Sequence, residues 1–165
     1  KFYEKVLKNN SSPYIRHQYA LFLQRKNQYD LAWEQIDQAY TESKKKNFSI
    51  ANTHAIIMLE KNMSNKFNVE KDLTLLKSTI EKSFSTLEYC ITKDVRVNYH
   101  VLTYCRNAIR YYEKFSLDEY AGQYIDSALN QLEIILTSGE YIFRGTLREL
   151  LNLKRELNEI KKMMG

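Results

Sequence analysis

The chain has 165 residues, of which 44% are hydrophobic and 13% aromatic, and a net charge of +5. Such an aromatic-rich chain is not a disordered tail, and four glycines with one proline leave little material for the tight turns of sheet proteins. Two cysteines are too few for a disulfide framework, and no apolar run approaches the roughly 18 residues of a membrane span. We therefore expect an all-α fold, a single domain over residues 1–165, and a cytoplasmic location.

A helical hairpin is predicted over residues 13–45. Ser12 can cap a helix that begins at Pro13 and runs to about residue 26. A second helix follows from about 29 to 45, and the lysines at 44–46 suit its carbonyl end. The apolar face of this second helix has helical spacing and consists of Ala32, Ile36, Ala39 and Tyr40.

Five further helices are predicted from caps and apolar periodicity. Ser49 and Asp94 can each cap a helix start, the spacing of Ser116 and Glu119 is that of a capping box, and Gly139 can end a helix. Most connections between helices are short, so neighbouring helices should be antiparallel. The predicted ranges are about 50–62, 69–92, 95–115, 116–137 and 141–163, and residues 1–8 are the end of an earlier helix.

An internal repeat links the first hairpin to a later one. The segments "AWEQIDQA" at 32–39 and "AGQYIDSA" at 121–128 share Ala, Ile, Asp and Ala at the same offsets. Small side chains on one helix allow a second helix to approach closely, and a larger apolar one fills the space between successive hairpins. The pattern therefore predicts a repeat architecture.

These positions resemble the tetratricopeptide repeat, a family of helical hairpins. The resemblance implies a right-handed superhelical stack of hairpins at about 13–45, 49–93 and 95–137, a TPR-like α-solenoid, with a C-terminal capping helix at about 141–163. In the middle hairpin, about nine extra residues are needed before its second helix falls into phase. The family pattern is carried by Tyr19, Ala20, Leu23, Tyr29, Ala32, Ile36 and Ala39 in the first unit, by Ala55, Leu76, Ile80 and Ser83 in the second, and by Ile109, Ala121, Ile125 and Ala128 in the third.

A second resemblance is carried by "SIANTHAIIMLEKN" at 49–62, following "YALFLQRKNQYDLAWEQIDQAY" at 19–40. These segments are similar to the C-terminal repeat regions of bacterial signal-transducing ATPases and of sirtuin-like anti-phage defence proteins. That similarity implies a part of a larger protein that senses a foreign protein. Because residue 1 is lysine, we also expect the chain to be a fragment of a longer protein.

The TPR resemblance implies a partner-binding groove lined by the first helix of each hairpin. We expect a protein or peptide there, with acidic groups or a free carboxy terminus, because Arg106, Arg110 and Lys114 recur every four residues. The alternative for these cations is a solvated helix face with internal ion pairs. The implied groove residues are Tyr14, His17, Gln18, Leu21, Arg25, Asn52, Thr53, Ile56, Arg106, Asn107 and Arg110.

Two other functions are weighed against protein recognition. Tyr111 and Tyr112 beside the arginines could stack on bases, as in helical-repeat RNA-binding modules. Nucleic acid is nevertheless not the expected partner, because the positive charge is spread over both ends of the chain. The basic and acidic residues of the last helix are interleaved, unlike a membrane-binding face. An enzyme would require His17, His54 and His100 to converge from three helices. We therefore expect no catalysis, no cofactor and no metal in this segment.

Overall fold

The computed structural model describes residues 2–64, 73–115 and 119–165. Within these ranges the helices are joined by short non-helical segments and there is no strand, which confirms the predicted all-α class. The helices of this part are α1 (Phe2–Asn9), α2 (Pro13–Arg25), α3 (Tyr29–Glu42), α4 (Phe48–Ser64), α5 (Leu73–Lys93), α6 (Val97–Phe115), α7 (Glu119–Thr137) and α8 (Arg144–Met164).

The ends of α2 and α3 follow local backbone chemistry. The Oγ of Ser12 accepts a hydrogen bond from the backbone N–H of Ile15 at 3.3 Å, so the predicted cap is confirmed. α3 ends at Glu42, three residues earlier than predicted. The cause is that Lys44 and Lys45 adopt left-handed backbone angles, with φ of 54° and 59°, which no helix can continue through.

Three of the predicted helix starts were displaced. α6 begins at Val97 instead of residue 95, because Asp94 accepts the backbone N–H of Arg96 at 3.3 Å in the turn before the helix and is not its N-cap residue. Ser49 lies inside α4, and the side chain of Asn47 takes its role by accepting the backbone N–H of Ile50 at 3.2 Å. α8 begins at Arg144 instead of residue 141, because Phe143 is extended with ψ of 135°. Gly139 has a φ of +74°, so the left-handed residue predicted after α7 is confirmed.

The chain forms two compact units, which are described separately: Lys1–Cys90 and Ile91–Gly165. In the N-terminal unit, α2 and α3 form an antiparallel hairpin and α4 packs against both. The residue pattern that the repeat predicted forms the core of this unit, and its alanines let the helices approach closely. The core side chains are Ala20, Leu23, Ala32, Ile36, Ala39, Ile50 and Ile57.

The C-terminal unit repeats this plan. α6 and α7 pack together, and α8 packs against both of them. The thiol of Cys105 in α6 lies 3.7 Å from the backbone oxygen of Ala128 in α7. The small side chain of Ala128 therefore allows α6 and α7 to come into close contact. α8 buries one stripe of its own, formed by Leu150, Leu153, Leu157 and Ile160.

The repeat positions of the second and third hairpins are buried as well, which confirms them as core residues. The superhelical arrangement of the hairpins and the single-domain organisation stay predictions. The capping box predicted at 116–119 lies partly outside the described ranges. The same holds for the extra residues predicted before Leu76.

Candidate recognition surface

α2 presents one continuous open row, which we call the α2 row: Tyr14, Gln18, Leu21 and Arg25. The spacing of four, three and four residues places these side chains along one line of the helix. Tyr14 is 69% exposed, Arg25 is exposed, and the two between them are half-buried. The row therefore joins an aromatic, an amide, an apolar and a cationic group on one surface.

Both flanks of the α2 row are occupied by neighbouring helices. On one flank, the ring of Tyr19 stacks on that of Tyr3 in α1, with 5.0 Å between centroids. On the other flank, Gln24 donates a hydrogen bond from Nε2 to Oε2 of Glu60 in α4 at 2.7 Å. These contacts fix the rotation of α2, and they leave Tyr14 and Arg25 exposed while Gln18 and Leu21 are partly covered.

The flank beside Leu21 adds a residue that the sequence reasoning did not include. Phe22 is 43% exposed, and its ring lies 5.7 Å from that of Tyr3. The helical spacing of α2 alone gives no sign of this contact, because it depends on how α1 packs. Phe22 extends the apolar part of the surface.

Three of the predicted groove residues lie inside the N-terminal unit. His17 is buried, and its Nε2 lies 2.8 Å from Oγ1 of Thr53. Thr53 and Asn52 are themselves buried, whereas Ile56 is half-buried. The TPR resemblance had assigned these side chains to a partner-binding groove, but His17 and Thr53 instead form the contact between α2 and α4. Of the four residues His17, Asn52, Thr53 and Ile56, only Ile56 is accessible.

The predicted groove residues of α6 divide into two kinds. Arg106 and Arg110 are exposed, whereas Asn107 is buried and donates from Nδ2 to the backbone oxygen of Thr103 at 2.8 Å. Arg106 forms an ion pair with Glu149 of α8. The internal ion pair that the sequence left open as an alternative is therefore present at Arg106.

The three histidines each have a separate hydrogen-bond partner. His17 binds Thr53, as above. His54 Nε2 lies 3.0 Å from Oδ1 of Asp37, and His100 Nε2 lies 2.7 Å from Oδ2 of Asp94. Within the described ranges, no group of three or more potential metal-binding side chains lies together.

His54 is packed between two aromatic rings of α3. Its ring centroid is 4.6 Å from that of Trp33 and 4.4 Å from that of Tyr40. Burial lowers the pKa of His54, and the hydrogen bond to Asp37 opposes that shift only in part. The neutral ring therefore acts as a buried packing group.

Burial and hydrogen bonding also set the ionisation of two groups in the C-terminal unit. Asp94 accepts hydrogen bonds from the guanidinium and the backbone N–H of Arg96, and these, with the bond to His100, hold the pKa of Asp94 well below its usual range. Burial raises the pKa of Cys105 to about 12, so its thiol stays protonated.

Tyr111 does not provide the base-stacking surface that the RNA alternative required. It is 1% exposed, and its ring packs edge-on against Tyr124 at 5.6 Å between centroids. Tyr112 is half-buried. That part of the alternative is wrong, because the helical phase that exposes Arg106 and Arg110 turns Tyr111 into the core.

Comparison of the chain with protein-family models, with curated proteins and with solved structures gave no match. In the part of the chain that the structure describes, no helix is both long and apolar enough to cross a bilayer.

Proposed function

We propose that this segment is a protein-recognition module and that the α2 row binds a short segment of a partner protein. The observation that supports the proposal is the open row itself, which stays accessible while both of its flanks are packed. The row extends over 12 residues of helix, and its two ends are about 16 Å apart. An extended peptide of about five residues covers the same distance.

The chemistry of the row suits a peptide ligand. Tyr14 and Leu21 supply apolar area, and tyrosine and arginine are the side chains that most often carry binding energy at protein interfaces. Among the described residues, neither Gln18 nor Arg25 has a hydrogen-bond or ion-pair partner. Gln18 can therefore bond a peptide backbone, and Arg25 can hold a carboxylate in its planar fork.

We further propose that the hairpins form a TPR-like, right-handed superhelical stack. Two observations support this: the alanines at equivalent places in both units are buried, and in each unit the helix after the hairpin packs on both of its helices. Stacked hairpins present their first helices on one side, which would place α2 there. A sensing role in bacterial defence rests on the sequence resemblance alone, and it would make the partner a foreign protein.

The proposal is tested with a phage-displayed library of random 12-residue peptides. We expect the wild-type protein to enrich a peptide family that shares an acidic residue, and a Tyr14→Ala or Arg25→Glu variant to lose binding to it by tenfold or more. The matched control is Lys26→Glu, since it makes the same charge change one residue away and off the row.

Failure of the proposal has two clear forms. In the first, the wild-type protein enriches no peptide family above the level found in a control selection that contains no protein. The other is a peptide family that binds the Arg25→Glu and Lys26→Glu variants equally well, since net charge and not the row would then explain the binding.

A further inference from the structure

A second exposed surface lies on α8, directly opposite its buried stripe. Arg144, Arg148, Arg155 and Lys162 are all exposed and follow one another at intervals of four, seven and seven residues. At 3.6 residues per turn these intervals keep all four within about 40° of one line over about 27 Å of helix. We call this line of cations the basic stripe.

The charges of the basic stripe are not offset within the described part of the chain. Two acidic groups of α7 pair with other cations of α8: Glu133 with Lys154, and Asp126 with Lys161. Among residues 2–64, 73–115 and 119–165, no ion pair or hydrogen bond engages any member of the stripe. Glu159 lies beside the stripe at about 60° from its line but bonds neither Arg155 nor Lys162.

Two exposed aromatic rings stand at one end of the basic stripe. Tyr141 is 88% exposed and Phe143 is 70% exposed, and both lie in the non-helical segment directly before Arg144. Neither ring stacks on another ring of the described chain. Open rings beside a line of cations are the elements that bind single-stranded nucleic acids without sequence preference.

We propose that the basic stripe, with Tyr141 and Phe143, binds single-stranded RNA or DNA. The phosphates lie along the cations, and bases stack on the two rings. A membrane surface fits less well, because the main apolar stripe of α8 is buried and only Leu151 and Met163 on its open side are apolar. An acidic protein would use the cations but gives no role to two exposed rings.

Folding explains why the sequence indicated the opposite. Along the chain the charges of α8 alternate in sign, yet Glu149 faces Arg106, and Lys154 and Lys161 face acids of α7. These pairs engage Glu149, Lys154 and Lys161, whereas Glu156 and Glu159 stay exposed beside the stripe. Unpaired positive charge is left on one face, which is the pattern of a nucleic-acid surface.

The test measures binding of fluorescently labelled 20-nucleotide dT and U oligonucleotides by anisotropy at several salt concentrations. With four phosphate contacts, the logarithm of the binding constant should fall with the logarithm of salt concentration at a slope of about −3. We expect Arg148→Glu/Arg155→Glu to weaken binding at least tenfold and to flatten this slope. Tyr141→Ala/Phe143→Ala should weaken binding severalfold at an unchanged slope.

Lys26→Glu/Lys46→Glu is the matched control, because it makes the same net charge change at two exposed positions of the N-terminal unit. Equal losses in the control and in the α8 variant would overturn the proposal, since only net charge would then matter. Helix content measured by circular dichroism shows that each variant is folded.

Two further probes distinguish the other partners. Phosphatidylserine vesicles or poly-glutamate that bind through Arg148 and Arg155, while the oligonucleotides do not bind, would overturn the proposal in favour of a membrane or an acidic protein. Peptide binding at the α2 row is measured on the same variants and should be unchanged, so this inference and the proposed function can fail separately.

Discussion

His54 in α4 and Asp37 in α3 are joined by a hydrogen bond of 3.0 Å between Nε2 and Oδ1, although Asp37 is more than half exposed and His54 is buried. The bond connects the first hairpin to the helix that follows it. The imidazole of His54 also packs against Trp33, the single tryptophan of the chain, with 4.6 Å between ring centroids. Trp33 fluorescence therefore reports on the environment that sets the charge of His54.

Acidification should destabilise the N-terminal unit. Burial lowers the pKa of His17 and of His54 below the value of about 6.5 that histidine has in an unfolded chain. The unfolded chain then binds more protons, so the free energy of unfolding falls as the pH drops through 6.5 toward the folded pKa values. We expect a lower urea midpoint, followed by Trp33 fluorescence, at pH 5.5 than at pH 7.5.

The variant His54→Gln removes one of the two titrating groups while it keeps a polar side chain. We expect His54→Gln to show a smaller difference between the urea midpoints at pH 7.5 and pH 5.5 than the wild-type protein shows. A wild-type midpoint that is independent of pH between 7.5 and 5.5 would contradict the buried neutral histidines.

Asp94 should stabilise the start of α6 at neutral pH. Its depressed pKa means that the carboxylate stabilises the fold above the unfolded pKa of about 3.9, and that this contribution is lost as the pH falls toward the folded pKa. We expect Asp94→Asn to cost about 1 to 3 kcal/mol at pH 7, because the buried His100 and the charged Arg96 lose a charged acceptor.

Urea unfolding followed by circular dichroism and hydrogen exchange at the amides of α6 measure this loss. The control is Asp126→Asn, which removes an exposed carboxylate paired with Lys161 and should change stability by less than about 1 kcal/mol. Equal effects of the two substitutions would show that the buried position of Asp94 is unimportant.

A larger side chain at Ala39 should disturb the contact between α2 and α3. Ala39 is fully buried in the core of the first hairpin, so Ala39→Leu forces the helices apart and should cost about 1 to 3 kcal/mol. Thr41→Leu adds similar bulk at an exposed position of the same helix and should change stability little. Thermal unfolding followed by Trp33 fluorescence compares them, and equal melting temperatures would contradict close packing at Ala39.

The helices and their buried faces could be predicted from the sequence because both depend on short-range patterns. The spacing of Ala32, Ile36 and Ala39 matches the helical period, and it recurs at Ala121, Ile125 and Ala128. A serine before proline and a glycine after an apolar run predicted one helix start and one helix end, since a cap acts within one turn. The error at Ser49 was small, because Asn47 is an equally good cap two residues away.

The surfaces could not be predicted in the same way, because they depend on which faces of a helix its neighbours cover. The TPR resemblance assigned Asn52, Thr53 and Asn107 to a groove, yet all three are buried in the folded chain. The sequence likewise gave no sign that the four cations of the basic stripe differ from the other basic residues of α8. They differ because Lys154 and Lys161 pair with acids of α7 and the stripe residues do not.

The sequence by itself thus determined the helical class and the residues of the core, since these follow from the period of the helix and the size of side chains. Only the tertiary structure decided that the α2 row stays open and that the basic stripe keeps its charge. The physical reason is that exposure and pairing of a side chain are set by contacts between helices that are distant along the chain, and no local pattern encodes them.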